Sequence, residues 1–138
     1  MDRTDLQQLA QDRLDDAKVL LQAGRYSGAY YLAGYAVECG LKACIARNIR
    51  QYEFPKSANF SKDIFTHALN DLVKHAGLTA SRNNQIAWSQ TFKLNWDVVQ
   101  KWTVESRYED WTQQEAQELL DAVDQQTYGV MQWIRQLW

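Results

Sequence analysis

The stretch Ala29-Tyr30-Tyr31-Leu32-Ala33-Gly34-Tyr35-Ala36-Val37-Glu38-Cys39-Gly40-Leu41-Lys42-Ala43 decides the fold class. At 100° per residue, Tyr31, Tyr35, Glu38 and Lys42 share one face of a helix, and Ala29, Ala33, Ala36 and Gly40 fall opposite. Small residues on one side let another backbone come close, while Leu32, Val37 and Leu41 between the two faces supply apolar area. Such a helix is contacted around most of its circumference. A Glu and a Lys four apart on it must find each other, water or a ligand, because an unpaired buried charge is costly.

Working outward toward the N-terminus, Thr4 with Gln7 reads as a capping box, and Leu6, Ala10, Leu14, Ala17 and Leu21 share one face. A first helix to about Ala23 follows, with Gly24 as its C′ residue. The connection Gly24-Arg25-Tyr26-Ser27 turns the chain antiparallel, with Ser27 as the N-cap of the second helix, which should fade near Arg50.

Toward the C-terminus, Pro55 places Tyr52 to Lys62 in a loop, with Phe54 and Phe60 tucked against the bundle. A short third helix, about Ile64 to Ala76, turns Phe65, Leu69, Leu72, Val73 and Ala76 inward and stops at Gly77. A fourth, from about Arg82 to Trp102, has Trp88, Phe92, Val99 and Trp102 close to one face and Trp96 beside them. After a turn from Val104 to Trp111, Thr112 and Glu115 make a capping box for a last helix, whose core face is Ala116, Leu119, Val123, Val130, Ile134 and Leu137. There is no internal repeat, Gly-rich phosphate loop or alternating strand pattern. The reading is all-α: one domain, residues 1–138, folded as an antiparallel up-and-down helical bundle of about five helices, four long and one short.

Length and composition bound the rest. A chain of 138 residues buries roughly 68–70% of its unfolded surface, so its stability requires no disulfide or metal. The net charge of −2 means that any polyanionic partner must be held by a local basic patch. Cys39 and Cys44 lie on one helix with directions about 140° apart, which rules against a disulfide between them and suits two small buried side chains in a reducing compartment. The start Met1-Asp2-Arg3-Thr4-Asp5 has no apolar signal core, and no run reaches the ~20 residues of a membrane span, so a cytoplasmic location is expected.

Gly24-Arg25-Tyr26, then residues 29–38, then Leu41-Lys42-Ala43, resemble the second helix of the HEPN family, named for nucleotide binding in prokaryotes and higher eukaryotes. His67-Ala68-Leu69-Asn70-Asp71-Leu72 is similar to that family's short third helix. Ser106-Arg107-Tyr108 followed by Thr112-Gln113-Gln114-Glu115-Ala116 is similar to the Arg-Tyr turn that opens its last long helix. The resemblance implies a helical, homodimeric domain that binds nucleotide or RNA. It also implies a usual setting beside a minimal nucleotidyltransferase in a unit of toxin–antitoxin type. Active HEPN members are metal-independent ribonucleases that place a His after an Arg with four to six residues between. From Arg107 those positions are Thr112, Gln113 and Gln114, and no other Arg here has a His at that distance. The expected protein is therefore a non-catalytic binding and interaction module with no cofactor and no metal. The alternatives are a ribonuclease toxin with a different acid–base residue, and a purely structural protein-binding dimer.

Seven residues are candidates for ligand binding: Arg107, Tyr108, Tyr31, Tyr35, Glu38, Lys42 and His67. Arg107 offers a planar fork for phosphate or carboxylate, and Tyr108 a stacking surface with a polar tip. Arg107 could instead pair with Glu38 across the bundle, and the four-residue stripe could be a polar seam satisfied by neighbouring helices. His67 and His75, eight apart on the third helix, diverge by about 80° and make a poor metal pair. His67 reads equally as a capping or core-edge residue, and His75 as a complement to the helix dipole. Six tryptophans exceed what a small core needs. Together with the small-residue face of the second helix, they lead us to expect a homodimer.

Overall fold

The computed structural model describes residues 1–52 and 66–138, and among these it is all α apart from one 3-10 turn. The helices are α1 (Arg3–Gln22), α2 (Tyr26–Tyr52), α3 (Leu69–His75), α4 (Thr79–Trp88), α5 (Gln90–Val99), α6 (Gln113–Asp124) and α7 (Val130–Arg135), with the 3-10 turn at Val104–Tyr108. The expected loop around Pro55, with Phe54 and Phe60, and the start of the third helix at Ile64 and Phe65 lie outside the described residues.

The central element is α2. It runs against α1 and also touches α3, α6, α7 and the 3-10 turn. Ala29, Ala33 and Ala36 are fully enclosed, and a methyl group on Gly40 would press on Ile134 and Met131 of α7. The small-residue face is thus consumed inside the monomer and does not offer the external sticky surface expected of it. On the other side Gly34 lies directly under the Trp102 ring, so that any side chain at position 34 would overlap the indole.

The bundle of about five helices is corrected to seven α-helices among the described residues, because two expected long helices each break. The expected span Arg82–Trp102 is interrupted at Ser89, whose backbone is extended (φ −134°, ψ 114°) and whose hydroxyl accepts from Phe92 N–H at 3.1 Å. A serine that caps a new helix competes with continuation of the old one. The break turns Trp88 away from the core face assigned to it, leaving it 89% exposed, while Phe92, Trp96, Val99 and Trp102 are buried as expected. The last helix is interrupted after Asp124 and restarts from Gly129, where a Cβ would run into the backbone of Gln125 and Val123. On both sides of that break the expected core face survives: Ala116, Leu119, Val123, Val130 and Ile134 are buried, and Leu137 packs on them.

Caps explain smaller differences. α1 begins two residues before the expected capping pair, because Asp2 accepts from Asp5 N–H at 2.9 Å and Asp5 accepts from Asp2 N–H at 3.0 Å. Gln7, freed from that role, donates to the Trp138 carbonyl. The other end follows expectation. Gly24 takes φ +77°, with Gly24 N–H to Leu21 O and Arg25 N–H to Leu20 O, the two bonds of a Schellman motif. Ser27 does not cap α2, which starts one residue earlier; its hydroxyl accepts from Trp111 N–H instead. Thr112 and Glu115 form the expected reciprocal box at the start of α6.

Candidate ligand-binding face on the second helix

Glu38 is 1% exposed, and its carboxylate is met from two directions. Lys42, one turn on, donates its Nζ to Oε2 at 3.1 Å, and His67 Nδ1 lies 3.0 and 3.1 Å from Oε1 and Oε2. The third partner of the Glu38–Lys42 pair is therefore His67 rather than Arg107. His67 does not lie on the third helix, as its spacing suggested. It precedes α3 by two residues, in a short segment where Thr66 Oγ1 accepts from Ala68 N–H at 3.2 Å. Lys42 sets a positive charge against the buried carboxylate and His67 a ring nitrogen, while the Lys42 side chain keeps 18% of its surface in solvent and that of His67 keeps 49%. His75 ends α3, where a basic side chain complements the dipole.

One turn toward the N-terminus, Tyr35 stacks on Tyr31 (centroids 6.0 Å, planes 8° apart) and faces Cys39. Burial pushes the Tyr35 phenol up to about 12, and Cys39, Glu38 and Tyr31 add to the effect. The Cys39 thiol is raised to about 11, by burial first and by Glu38 second. Both cysteines are free and buried. Tyr31 is held from behind by Trp102, at 5.8 Å between centroids, and Trp102 is in turn seated on Gly34.

Arg107 reaches this end of the stripe from the 3-10 turn. Its guanidinium lies 4.7 Å above the Tyr108 ring, and the Tyr108 and Tyr31 phenols beside it raise its already high pKa further. It is exposed, and no carboxylate pairs with it among the described residues. Other arginines are committed to the fold: Arg47 donates to the Leu137 carbonyl, Arg82 to Asn70 while lying over Trp96, and Arg135 to Gln132 and Gln11.

The turn that carries Arg107 is firmly placed. Ser106 is buried and donates to the Thr103 carbonyl at 2.6 Å, and Trp111 Nε1 donates to the Ser106 carbonyl at 3.0 Å. Trp111 also stacks on Tyr30 at 3.7 Å, and its backbone N–H is held by Ser27. Ser27, Tyr30, Ser106 and Trp111 were not among the sequence candidates. The only signal they carry is their position beside the Arg-Tyr turn and at the start of α2.

The seven candidates thus form two contact groups on one helix line. Arg107, Tyr108, Tyr31 and Tyr35 make one, and Glu38, Lys42 and His67 the other. Tyr31 and Glu38 are seven residues apart, roughly 10 Å along the axis. The family model for the HEPN domain matches residues 4–135. The chain belongs to the HEPN family. No curated protein and no solved structure matches it. In this HEPN domain, positions 112–114 are the N-cap and first turn of α6, where Thr112 is engaged with Glu115. No helix among the described residues is long and apolar enough to cross a membrane.

Proposed function

We propose that this HEPN domain is a non-catalytic, homodimeric module that binds nucleotide or RNA on the α2 face and acts beside a protein partner. The partner expected from the family resemblance is a minimal nucleotidyltransferase, in a toxin–antitoxin-type unit. The observation that carries the binding reading is Arg107: an exposed guanidinium oriented by Tyr108 and Tyr31 and unpaired with any described carboxylate. Such a fork is preset for a phosphate, and the phenol beside it can stack on a base. Self-association rests on the apolar side chains left outside the core, Trp88 and Leu94, since the small face of α2 is already filled.

The non-catalytic part rests on the absent Arg-to-His spacing. Purified protein incubated with RNA and no metal is expected to leave it intact. Cleavage that Arg107→Ala or His67→Ala abolishes in a folded variant would favour the ribonuclease reading instead. For the binding part, fluorescence anisotropy with a short single-stranded RNA should show saturable binding that weakens as salt rises. Arg107→Ala should lose about tenfold or more, as removal of one charge-assisted contact implies. Equal affinity for parent and variant would overturn the assignment of Arg107.

A further inference from the structure

Away from the stripe on α2, a cavity of about 310 Å³ opens between the start of α2, the end of α5 and the outer side of α6, lined by Tyr30, Val98, Lys101, Trp111, Glu115 and Glu118. Ligand sites run from roughly 300 to 1,000 Å³, so this one suits a single side chain. Tyr30 is only 7% exposed, yet its hydroxyl bonds to no described group. A phenol so buried ordinarily finds a partner, and an unmatched one on a cavity wall marks a place for a ligand to supply it. Burial first, and then the charges of Glu115 and Glu109, raise the Tyr30 pKa above its ordinary 10.0, so carboxylates bear directly on that hydroxyl. Both wall carboxylates have an oxygen to spare. Glu115 takes two bonds from Thr112 on Oε1, Glu118 takes one from Gln114 on Oε1, and each Oε2 is left over. Lys101, the one cation among the lining residues, pairs with no described carboxylate.

We infer that this cavity receives the guanidinium of an arginine carried on an extended segment of a partner protein, bound by Glu118, Glu115 and the Tyr30 hydroxyl. The inference is independent of nucleic-acid binding on α2. A guanidinium is planar, weakly hydrated and packs on aromatic rings such as the Tyr30 and Trp111 pair, stacked at 3.7 Å, and its five donors suit two carboxylates and a phenol oxygen. The surroundings share the sign: from Glu105 to Asp124 the chain carries seven carboxylates against Arg107 alone, a field that draws in a basic segment. A polypeptide fits better than a free cation, because Glu118 also borders a second hollow of about 550 Å³ along α6, lined by Thr112, Gln113, Gln114 and Gln117. Amide and hydroxyl side chains there can pair with the N–H and C=O groups of an extended backbone.

The test titrates the nitrogen-15-labelled chain with a capped Gly-Gly-Arg-Gly-Gly peptide, the same peptide with citrulline in place of arginine, and capped arginine alone. The arginine peptide should shift the Trp111 indole N–H and the amides of Tyr30, Glu115 and Glu118. It should bind about tenfold or more tighter than the uncharged citrulline peptide, as loss of a charge-assisted contact implies. Capped arginine should shift the same signals with several-fold weaker affinity. Glu118→Gln should weaken the arginine peptide, whereas Lys101→Met, which removes a like charge, should tighten it. Tyr30→Phe should weaken it without lowering the melting temperature, since the hydroxyl removed has no partner in the free chain. Equal affinity for the arginine and citrulline peptides, or weaker binding in Lys101→Met, overturns the cation site. Capped arginine that binds as tightly as the peptide overturns the polypeptide occupant. A peptide that shifts none of these signals overturns both.

Discussion

Glu38 is the residue on which most of the polar chemistry converges, and its environment sets an order of stability among variants. Lys42 and His67 both reach solvent, so deleting Glu38 leaves two polar side chains that water can take up again. Glu38→Gln is therefore expected to cost about 1.5–3 kcal/mol, the range of hydrogen bonds to charged groups. Removing both partners at once, Lys42→Met with His67→Ala, strands a carboxylate that is 1% exposed, and should cost more, about 3–5 kcal/mol. Thermal melts of the two variants check the order, and a Glu38→Gln melt below that of the double variant would contradict it. The buried thiols give a pH dependence of known sign. Cys39 and Cys44 are lifted from an ordinary 9.0 to about 11 and about 12, burial being the first cause of each. Each is held protonated in the fold and ionises more easily when unfolded. Stability is therefore complete below about pH 9 and declines as pH rises from there toward the folded values. Denaturant midpoints of the parent and of Cys39→Ala/Cys44→Ala should diverge in that alkaline window, with the parent falling faster. Parallel curves would contradict the burial of the thiols.

At the scale of elements, the junctions depend on single residues. Gly34 is where Trp102 closes over α2, so Gly34→Ala must displace the indole. A loss of about 1–3 kcal/mol and a red-shifted tryptophan emission are expected, as for overpacking elsewhere. A folded variant with parental emission would show that the ring has room to move. Ser89→Ala removes the cap that starts α5, and about 1 kcal/mol should go with it in urea titrations.

The elements also show how much the sequence could tell. Periodicity placed the core faces of α1, α2, α3, α5 and α6, because burial repeats with the helical turn. The capping box at Thr112 and the turn at Gly24 followed from side-chain and backbone chemistry that is local. The two breaks did not follow. Ser89 and the segment 125–129 interrupt runs whose hydrophobic spacing continues across the gap, so the pattern reads as one helix on either side of each interruption. Of the candidate site, the stripe on α2 was legible as a face. The pairing of Glu38 with His67 was not, since it joins residues 29 apart through a segment with no periodic signal. Trp111 was hidden for the same reason: its stacking on Tyr30 and its bond to Ser27 are tertiary contacts between a turn and a helix start.

The whole molecule carries a net charge of −2, so the proposed binding of nucleic acid on the α2 face would work against a weakly unfavourable global field. With few cations on that face, the proposed binding should weaken only shallowly as salt rises. The apolar surface outside the core points to assembly. Light scattering at high micromolar concentration should give twice the 16.1 kDa of one chain, and Trp88→Ala should return it toward the single-chain mass without lowering the melting temperature, since Trp88 is 89% exposed. A parent that stays at the single-chain mass removes self-association from the proposal.

The binding face itself is tested most directly by nitrogen-15 amide spectra of the intact chain titrated with a short single-stranded RNA. Perturbations should gather on Tyr31, Tyr35, Glu38, His67, Arg107 and Tyr108, and in Arg107→Ala they should vanish at the same RNA concentration while the spectrum stays dispersed. Perturbations that gather around Trp88 and Leu94, or that persist undiminished in Arg107→Ala, would contradict the assignment of nucleic-acid binding to the second helix.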